Sequence, residues 1–162
     1  MTARITIAAA ALLFGAGAAQ AQVLQERNIS LAAAVAIAQV AVEACAARNF
    51  NVTATVVDRA GLVRATLRGD RAGPHTVESS VRKAFTAASL RGPTSALQQA
   101  TIDNPGARNL VHLPGVLPLG GGVPVRAGDE VIGGVGVGGA PSGQIDEECA
   151  NAGIEAARDR LR

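Results

Sequence analysis

The chain has 162 residues, a formal net charge of +2 and a near balance of basic and acidic residues, fifteen against thirteen. It contains three Phe and neither Trp nor Tyr, and its charged residues are interspersed. Nucleic-acid binding, which depends on basic patches and stacking aromatic residues, is therefore not expected.

The first 21 residues have the pattern of a secretory signal peptide. Arg4 gives a positively charged start, Ile5 to Ala18 is an apolar run, and Ala19-Gln20-Ala21 is a small-x-small cleavage site. The apolar run is too short for a comfortable membrane span. We therefore predict cleavage near Ala21, a single mature domain over residues 22–162, and a periplasmic or secreted location.

The hydrophobic periodicity of the mature chain predicts the order helix, hairpin, two helices, hairpin, helix. Ser30 is a candidate N-cap for the first helix. The predicted helices are 31–49, 75–90, 94–100 and 146–161, the first two strands are 52–57 and 62–67, and the second hairpin falls within 117–139. Residues 101–114 are predicted to be a loop. Because hairpin connections favour an antiparallel sheet, the expected fold class is α+β, with helices covering a central antiparallel sheet.

The second predicted helix has an apolar and a polar side. Helical spacing assigns the apolar residues to the core-facing side: Val77, Val81, Ala84, Phe85 and Ala88. The same spacing places the polar residues along the opposite stripe: His75, Ser79, Arg82 and Thr86. Over the seven residues from His75 to Arg82 the helix rises by about 10 Å.

The second hairpin is unusually rich in glycine. Nine of the nineteen glycines lie between Gly120 and Gly139. Strand alternation places Val131, Gly133, Val135 and Val137 on one face, and Ile132, Gly134, Gly136 and Gly138 on the other. Glycines within a strand often mark a close approach by another backbone or a ligand. We expect a helix or a neighbouring subunit against this face; direct ligand contact is the alternative.

The same glycines could belong to one of two nucleotide-binding motifs. Residues 134–139 match G-x-G-x-x-G, but a dinucleotide fold requires a further strand and an acidic residue about twenty positions later. After residue 139 the sequence predicts one helix and no further strand. A P-loop is excluded because Lys83 is the only lysine and is not preceded by glycine. The glycines are therefore interpreted as packing residues.

Cys45 and Cys149 are the only cysteines in the chain. An even number of cysteines in a secreted protein favours a disulfide. The alternative is that both are small buried apolar residues. We predict the disulfide, which would link the first and last helices.

His75 and His112 are the only histidines, and His75 lies close to the start of a predicted helix. An imidazole with Arg82 on the same stripe suits a large anionic cofactor, the imidazole binding iron and the guanidinium pairing with a carboxylate. The alternative is an exposed histidine beside a solvated arginine. Neither a zinc site nor a serine nucleophile is indicated by the spacing.

Three segments resemble the GlcG-like haem-binding family, which contains HbpS and the C-terminal domain of PduO-type corrinoid adenosyltransferases. They are the residues Lys83-Ala84-Phe85-Thr86-Ala87, Gly92-Pro93-Thr94 and Gly120-Gly121-Gly122-Val123-Pro124. The resemblance covers about Ser30 to Ala157. It implies a profilin-like α+β fold with a central antiparallel sheet of about five strands, frequently assembled into tetramers or octamers.

The resemblance also implies haem as the cofactor, with His75 as a candidate iron ligand, and for some members a role in haem, iron or redox sensing through a membrane sensor. It implies no established catalytic mechanism, so a binding protein is expected rather than an enzyme. Two alternatives stay open: an accessory protein or enzyme for a small metabolite of glycolate-type metabolism, and a structural oligomer that presents a surface to a membrane sensor. Because Phe50 and Phe85 are the only mature aromatic residues, weak or surface haem binding is expected.

Overall fold

The computed structural model describes residues 22–162, so the predicted signal peptide and its cleavage site lie outside the described residues. The helices are α1 (Leu31–Ala46), α2 (His75–Leu90), α3 (Thr94–Asp103) and α4 (Gly143–Ala156), with 3-10 turns at Pro105–His112 and Arg158–Leu161. The strands are β1 (Thr53–Asp58), β2 (Val63–Arg68), β3 (Gly122–Ala127) and β4 (Glu130–Gly138).

The strands form one antiparallel sheet in the order β2-β1-β4-β3. Two hairpins therefore lie side by side, joined through the central β1–β4 pair. The predicted α+β class with a helix-covered antiparallel sheet is confirmed. The sheet has four strands within the described residues, where the resemblance implied about five, because the two hairpins supply all of its strands.

Helices cover both faces of the sheet. α1 and α4 pack on one face, where the main apolar core contains Ile37 of α1, Val56 of β1, and Val135 and Val137 of β4. α2 packs on the other face. The side chains of β1 alternate between these two faces. Its threonines face α2, and Thr55 Oγ1 lies 2.8 Å from the hydroxyl of Ser80.

The glycine face of β4 is covered by the protein's own helix α2. A Cβ on Gly136 would lie 2.1 Å from the carbonyl oxygen of Ser80, and one on Gly134 would lie 2.4 Å from that of Ala84. A side chain at either position would push the helix away from the sheet. The prediction that Ile132 shares this face is wrong. β3 pairs with the residues on either side of Ile132, so a bulge directs it into the main core.

The buried side of α2 also differs from the prediction. Its buried residues are mostly small or polar: Thr76, Ser80, Lys83, Ala84, Thr86, Ala87 and Ala88. Val77, predicted to be in the core, is 38% exposed. The reason lies in the opposing sheet face, where glycines and threonines accept close backbone contact and hydroxyl pairs. Small and hydroxyl-bearing side chains of α2 suit this close contact.

Cys45 of α1 and Cys149 of α4 form the predicted disulfide, with their Cα atoms 5.6 Å apart. Ser30 caps α1 as predicted, accepting a hydrogen bond from the amide of Ala33 at 3.2 Å. α4 begins at Gly143, three residues before the predicted start, because Ser142 is its N-cap. Part of the predicted 101–114 loop is helical.

Candidate functional site

The most heavily buried charges of the described residues form a pair between α2 and α4. Lys83 and Asp146 are only 3% and 2% exposed. The ammonium donates to Asp146 Oδ2 at 2.8 Å and to the carbonyl oxygen of Val137 at 2.9 Å. The other carboxylate oxygen accepts from the amide of Ala140 at 3.0 Å. The pair thereby fixes α2, the end of β4 and the start of α4 relative to one another.

Burial raises the pKa of Asp146 above its ordinary value. Desolvation by the surrounding protein is the largest cause, because it penalises the charged carboxylate. The Coulombic attraction of Lys83 and the hydrogen bond from its ammonium oppose this shift, as does the hydrogen bond from the amide of Ala140. Because burial favours the neutral carboxyl, a change in the protonation of Asp146 changes the stability of the fold around it.

Residues Gly120–Gly122 run beside this pair and are fixed by polar contacts. A Cβ on Gly121 would lie 2.7 Å from the ammonium of Lys83. The amide of Gly122 donates to Thr94 Oγ1 at 2.8 Å, and the amide of Gly121 donates to Glu147 at 3.3 Å. The three segments that carry the family resemblance, around Lys83, Thr94 and Gly121, thus meet at one junction.

A cleft of about 320 Å³ opens above the ion pair. Its walls are the first turns of α2, the last glycines of β4 and the loop that leads to α4. The lining side chains include His75, Ser79, Lys83, Leu119 and Asp146. The cleft therefore combines an exposed imidazole at its mouth with a desolvated ion pair at its base.

His75 is exposed at the first position of α2, and its ring lies against Gly73, where a Cβ would be 2.6 Å from Cε1. Arg82 points elsewhere: its Nη2 donates to the carbonyl oxygen of Val116 at 2.9 Å, and Nη1 lies 3.9 Å from Glu78. His112 ends the Pro105–His112 turn and is exposed. Only His75 of these three lines the cleft.

Sequence reasoning overlooked Lys83 and Asp146 as site residues. Lys83 served to exclude a P-loop and to mark a family-like segment, and Asp146 marked the start of a helix, but neither was predicted to be a site residue. A usable signal was present: the sole lysine of the chain lies in the middle of a helix, within one of the family-like segments. Its partner could not be identified, because contact between α2 and α4 depends on the sheet order.

No group of three or more His, Cys, Asp or Glu residues within residues 22–162 is arranged to hold a metal ion. None of the helices in the described part of the chain has the length and apolarity needed to cross a bilayer. A lone imidazole can still bind the iron of a haem, whose macrocycle supplies the other ligands.

Comparison with known proteins agrees with the resemblance seen in the sequence. Residues 29–155 match the model of the family described as haem degrading protein HbpS-like. A Citrobacter freundii protein, an uncharacterized 15.0 kDa protein of the dhaT-dhaS intergenic region, is 39% identical over 120 residues, which cover 71% of this chain and 82% of that protein.

Solved structures show the same fold. The crystal structure of HbpS is 45% identical with a TM-score of 0.78, covering 83% of this chain and 93% of that one. The structure of a PduOC–haem complex is 26% identical with a TM-score of 0.71, covering 80% of this chain and 94% of that one. The similarity thus spans almost the whole described domain, and the chain belongs to the HbpS-like, GlcG-like family of haem-binding proteins.

Proposed function

We propose that this protein is exported and binds haem at the cleft beside His75. The observation that carries the proposal is the position of His75, an exposed imidazole at the mouth of the cleft. A related domain, PduOC, has been solved in complex with haem. Export is supported by the signal-peptide pattern and by the disulfide between Cys45 and Cys149, a bond typical of oxidising compartments.

The cleft fits one edge of a porphyrin rather than the whole ring. Its volume of about 320 Å³ is at the lower end of small-molecule pockets. The mature aromatic residues lie elsewhere. The ring of Phe85 lies against Gly61 and Gly115, and the guanidinium of Arg48 covers Phe50 at 5.6 Å. A haem in this cleft would therefore leave much of its surface open to solvent or to a second subunit.

The residues in and near the cleft have separable roles in this proposal. His75 supplies the nitrogen that binds iron, and the glycine backbone of β4 allows the ring edge to approach closely. Arg82 is the candidate partner for a haem carboxylate, although its guanidinium must leave Val116 to serve in that way. When bound, haem would supply an iron centre that responds to redox state.

We also propose that the protein forms a homo-oligomer, a tetramer or octamer, that signals haem or iron status to a membrane sensor. Large apolar side chains at the surface support the oligomer: Leu31 and Val35 of α1 are 59% and 44% exposed, and Val63 of β2 is 51% exposed. Apolar surface of this kind is frequent at protein interfaces. Light scattering on the oxidised protein tests the assembly, and a monomer would contradict it.

Titration of the apo protein with haemin tests the central proposal. We expect a saturable shift of the Soret band and a fixed ratio of haem to subunit. The Arg82→Ala variant should bind somewhat more weakly with an unchanged spectrum, because a carboxylate contact does not alter the axial ligand. A linear, unsaturable response in the wild-type protein would contradict haem binding.

A second function, haem degradation, is favoured by the description of the matched family. It predicts that the haem complex loses its Soret band in air with an added reductant, faster than free haemin. A stable Soret band under these conditions would exclude haem degradation and leave haem binding as the function. The metabolite alternative is tested separately by a thermal-shift panel of small oxidised acids, because only a bound ligand raises the melting temperature.

A further inference from the structure

A cluster of arginines surrounds the C-terminal 3-10 turn, at the β3–β4 turn and away from the haem cleft. The arginines are Arg27, Arg126, Arg158, Arg160 and Arg162. They line two small clefts of about 240 and 260 Å³ that meet at Leu161 and Arg162. We propose that this arginine cluster binds a small molecule with two anionic groups, either carboxylates or phosphates.

The charge of the cluster is not balanced by the protein. Arg158 pairs with Glu155, and Arg162 with Asp159, in exposed contacts. Together these seven residues have a formal charge of +3, whereas the other described residues contain nine basic and eleven acidic side chains, a charge of −2. These seven residues therefore carry an excess of positive charge, which favours an anionic ligand.

Three of the arginines are oriented by backbone oxygens. Arg27 donates to the carbonyl oxygen of Ala127 at 3.0 Å, and Arg160 donates to that of Ala32 at 3.3 Å. Arg126 donates to the carbonyl oxygens of Asp129 and Arg91 at 3.1 and 2.7 Å. Within residues 22–162 none of the three forms an ion pair with a carboxylate. A carbonyl holds a guanidinium in place without neutralising it, so the remaining N–H groups can bind an anion.

The geometry of the two clefts indicates two anionic groups on one ligand. Arg27 and Arg160 line the first cleft, and Arg126 and Arg158 line the second. Leu161 lines both clefts, so the edge of its side chain lies where the middle of such a ligand would pass. A short aliphatic dicarboxylate matches this arrangement of charge, apolar surface and charge, and a diphosphate supplies the two anionic groups on a shorter, polar linkage.

Calorimetry with defined probes tests the proposal. We expect saturable binding of glutarate or pyrophosphate, and binding at least about tenfold weaker for the matched single anions pentanoate and phosphate. The glutarate and pyrophosphate arms distinguish a carboxylate ligand from a phosphate ligand. Each titration is run at low salt and at about 0.15 M, where screening weakens exposed contacts.

Variants of equal charge separate a site from general electrostatics. The double variant Arg126→Gln/Arg160→Gln should bind the probe at least about tenfold more weakly, whereas Arg71→Gln/Arg108→Gln should bind it normally. Arg160→Lys should be intermediate, since lysine retains the charge but not the planar fork. Equal losses in both double variants, or unsaturable binding of every probe, would overturn the proposal. A parallel loss of haem affinity in the first double variant would assign these arginines to haem and overturn a separate site.

Discussion

Breaking the ion pair between Lys83 and Asp146 should destabilise the protein more than most single substitutions. Both side chains are nearly inaccessible to solvent, and their charged atoms are 2.8 Å apart. Replacing either one leaves the other charge buried without its partner. We expect Lys83→Met and Asp146→Leu each to lower the free energy of unfolding by about 3–5 kcal/mol.

The double variant Lys83→Met/Asp146→Leu should lose less than the two single variants together. It leaves no buried charge, but the carbonyl oxygen of Val137 and the amide of Ala140 lose their partners. Each unpaired buried group costs about 1–3 kcal/mol. The single losses add to about 6–10 kcal/mol, and the two unpaired groups of the double variant cost about 2–6 kcal/mol together. The midpoints of these ranges predict a coupling energy of about 4 kcal/mol between the two side chains.

Urea unfolding of the oxidised wild-type, single and double variants at neutral pH measures this coupling. The matched control is the exposed pair of Arg48 and Glu148, whose side chains are 44% and 49% accessible. The cycle of Arg48→Gln and Glu148→Gln should give less than about 1 kcal/mol. A coupling for Lys83 and Asp146 as small as that of the control would refute the conclusion that their contact is desolvated.

Three further predictions concern the sheet, the disulfide and pH. Gly136→Val should destabilise the fold by about 1–3 kcal/mol or more because its Cβ would collide with the α2 backbone. Gly92→Ala, where the nearest atom is 3.9 Å away, should melt normally. Reduction of the Cys45–Cys149 disulfide, which spans 104 residues, should cost roughly 4–5 kcal/mol in urea unfolding; two free thiols in exported protein would exclude the bond. Because the folded pKa of Asp146 is raised, the stabilisation that comes from protonating its carboxyl is fully present below the unfolded pKa of about 3.9 and is lost as pH rises through the folded pKa. Unfolding of wild type and Asp146→Asn across pH should therefore favour the wild type increasingly as pH falls, and a constant difference would contradict the raised pKa.

The elements of this fold follow from local sequence patterns to a large extent. Alternating β-branched residues identified β1 and β2, and the Ser30 cap and helical spacing identified α1. The disulfide followed from the number of cysteines and the expected export. Each of these inferences uses residues close in sequence, or a chemical rule that does not depend on topology.

The errors arose where long-range packing reverses a local preference. Val77 was expected on the core-facing side of α2. The helix instead buries Thr76 and Ser80, because the sheet beneath it offers hydroxyls and glycine backbone. Ile132 changes face because of a bulge that strand alternation does not reveal. The partner of Lys83 depends on how α4 returns to the sheet, which periodicity alone does not determine.

The iron ligand is the most direct test of the proposed haem site. Haemin is titrated into the wild-type protein, His75→Ala and His112→Ala, and the Soret position and affinity are compared. We predict that His75→Ala shifts the band and weakens binding with its melting temperature unchanged, because the exposed side chain contributes little packing, and that His112→Ala matches the wild type. A normal spectrum for His75→Ala, with or without a change for His112→Ala, would contradict the assignment of haem to this cleft.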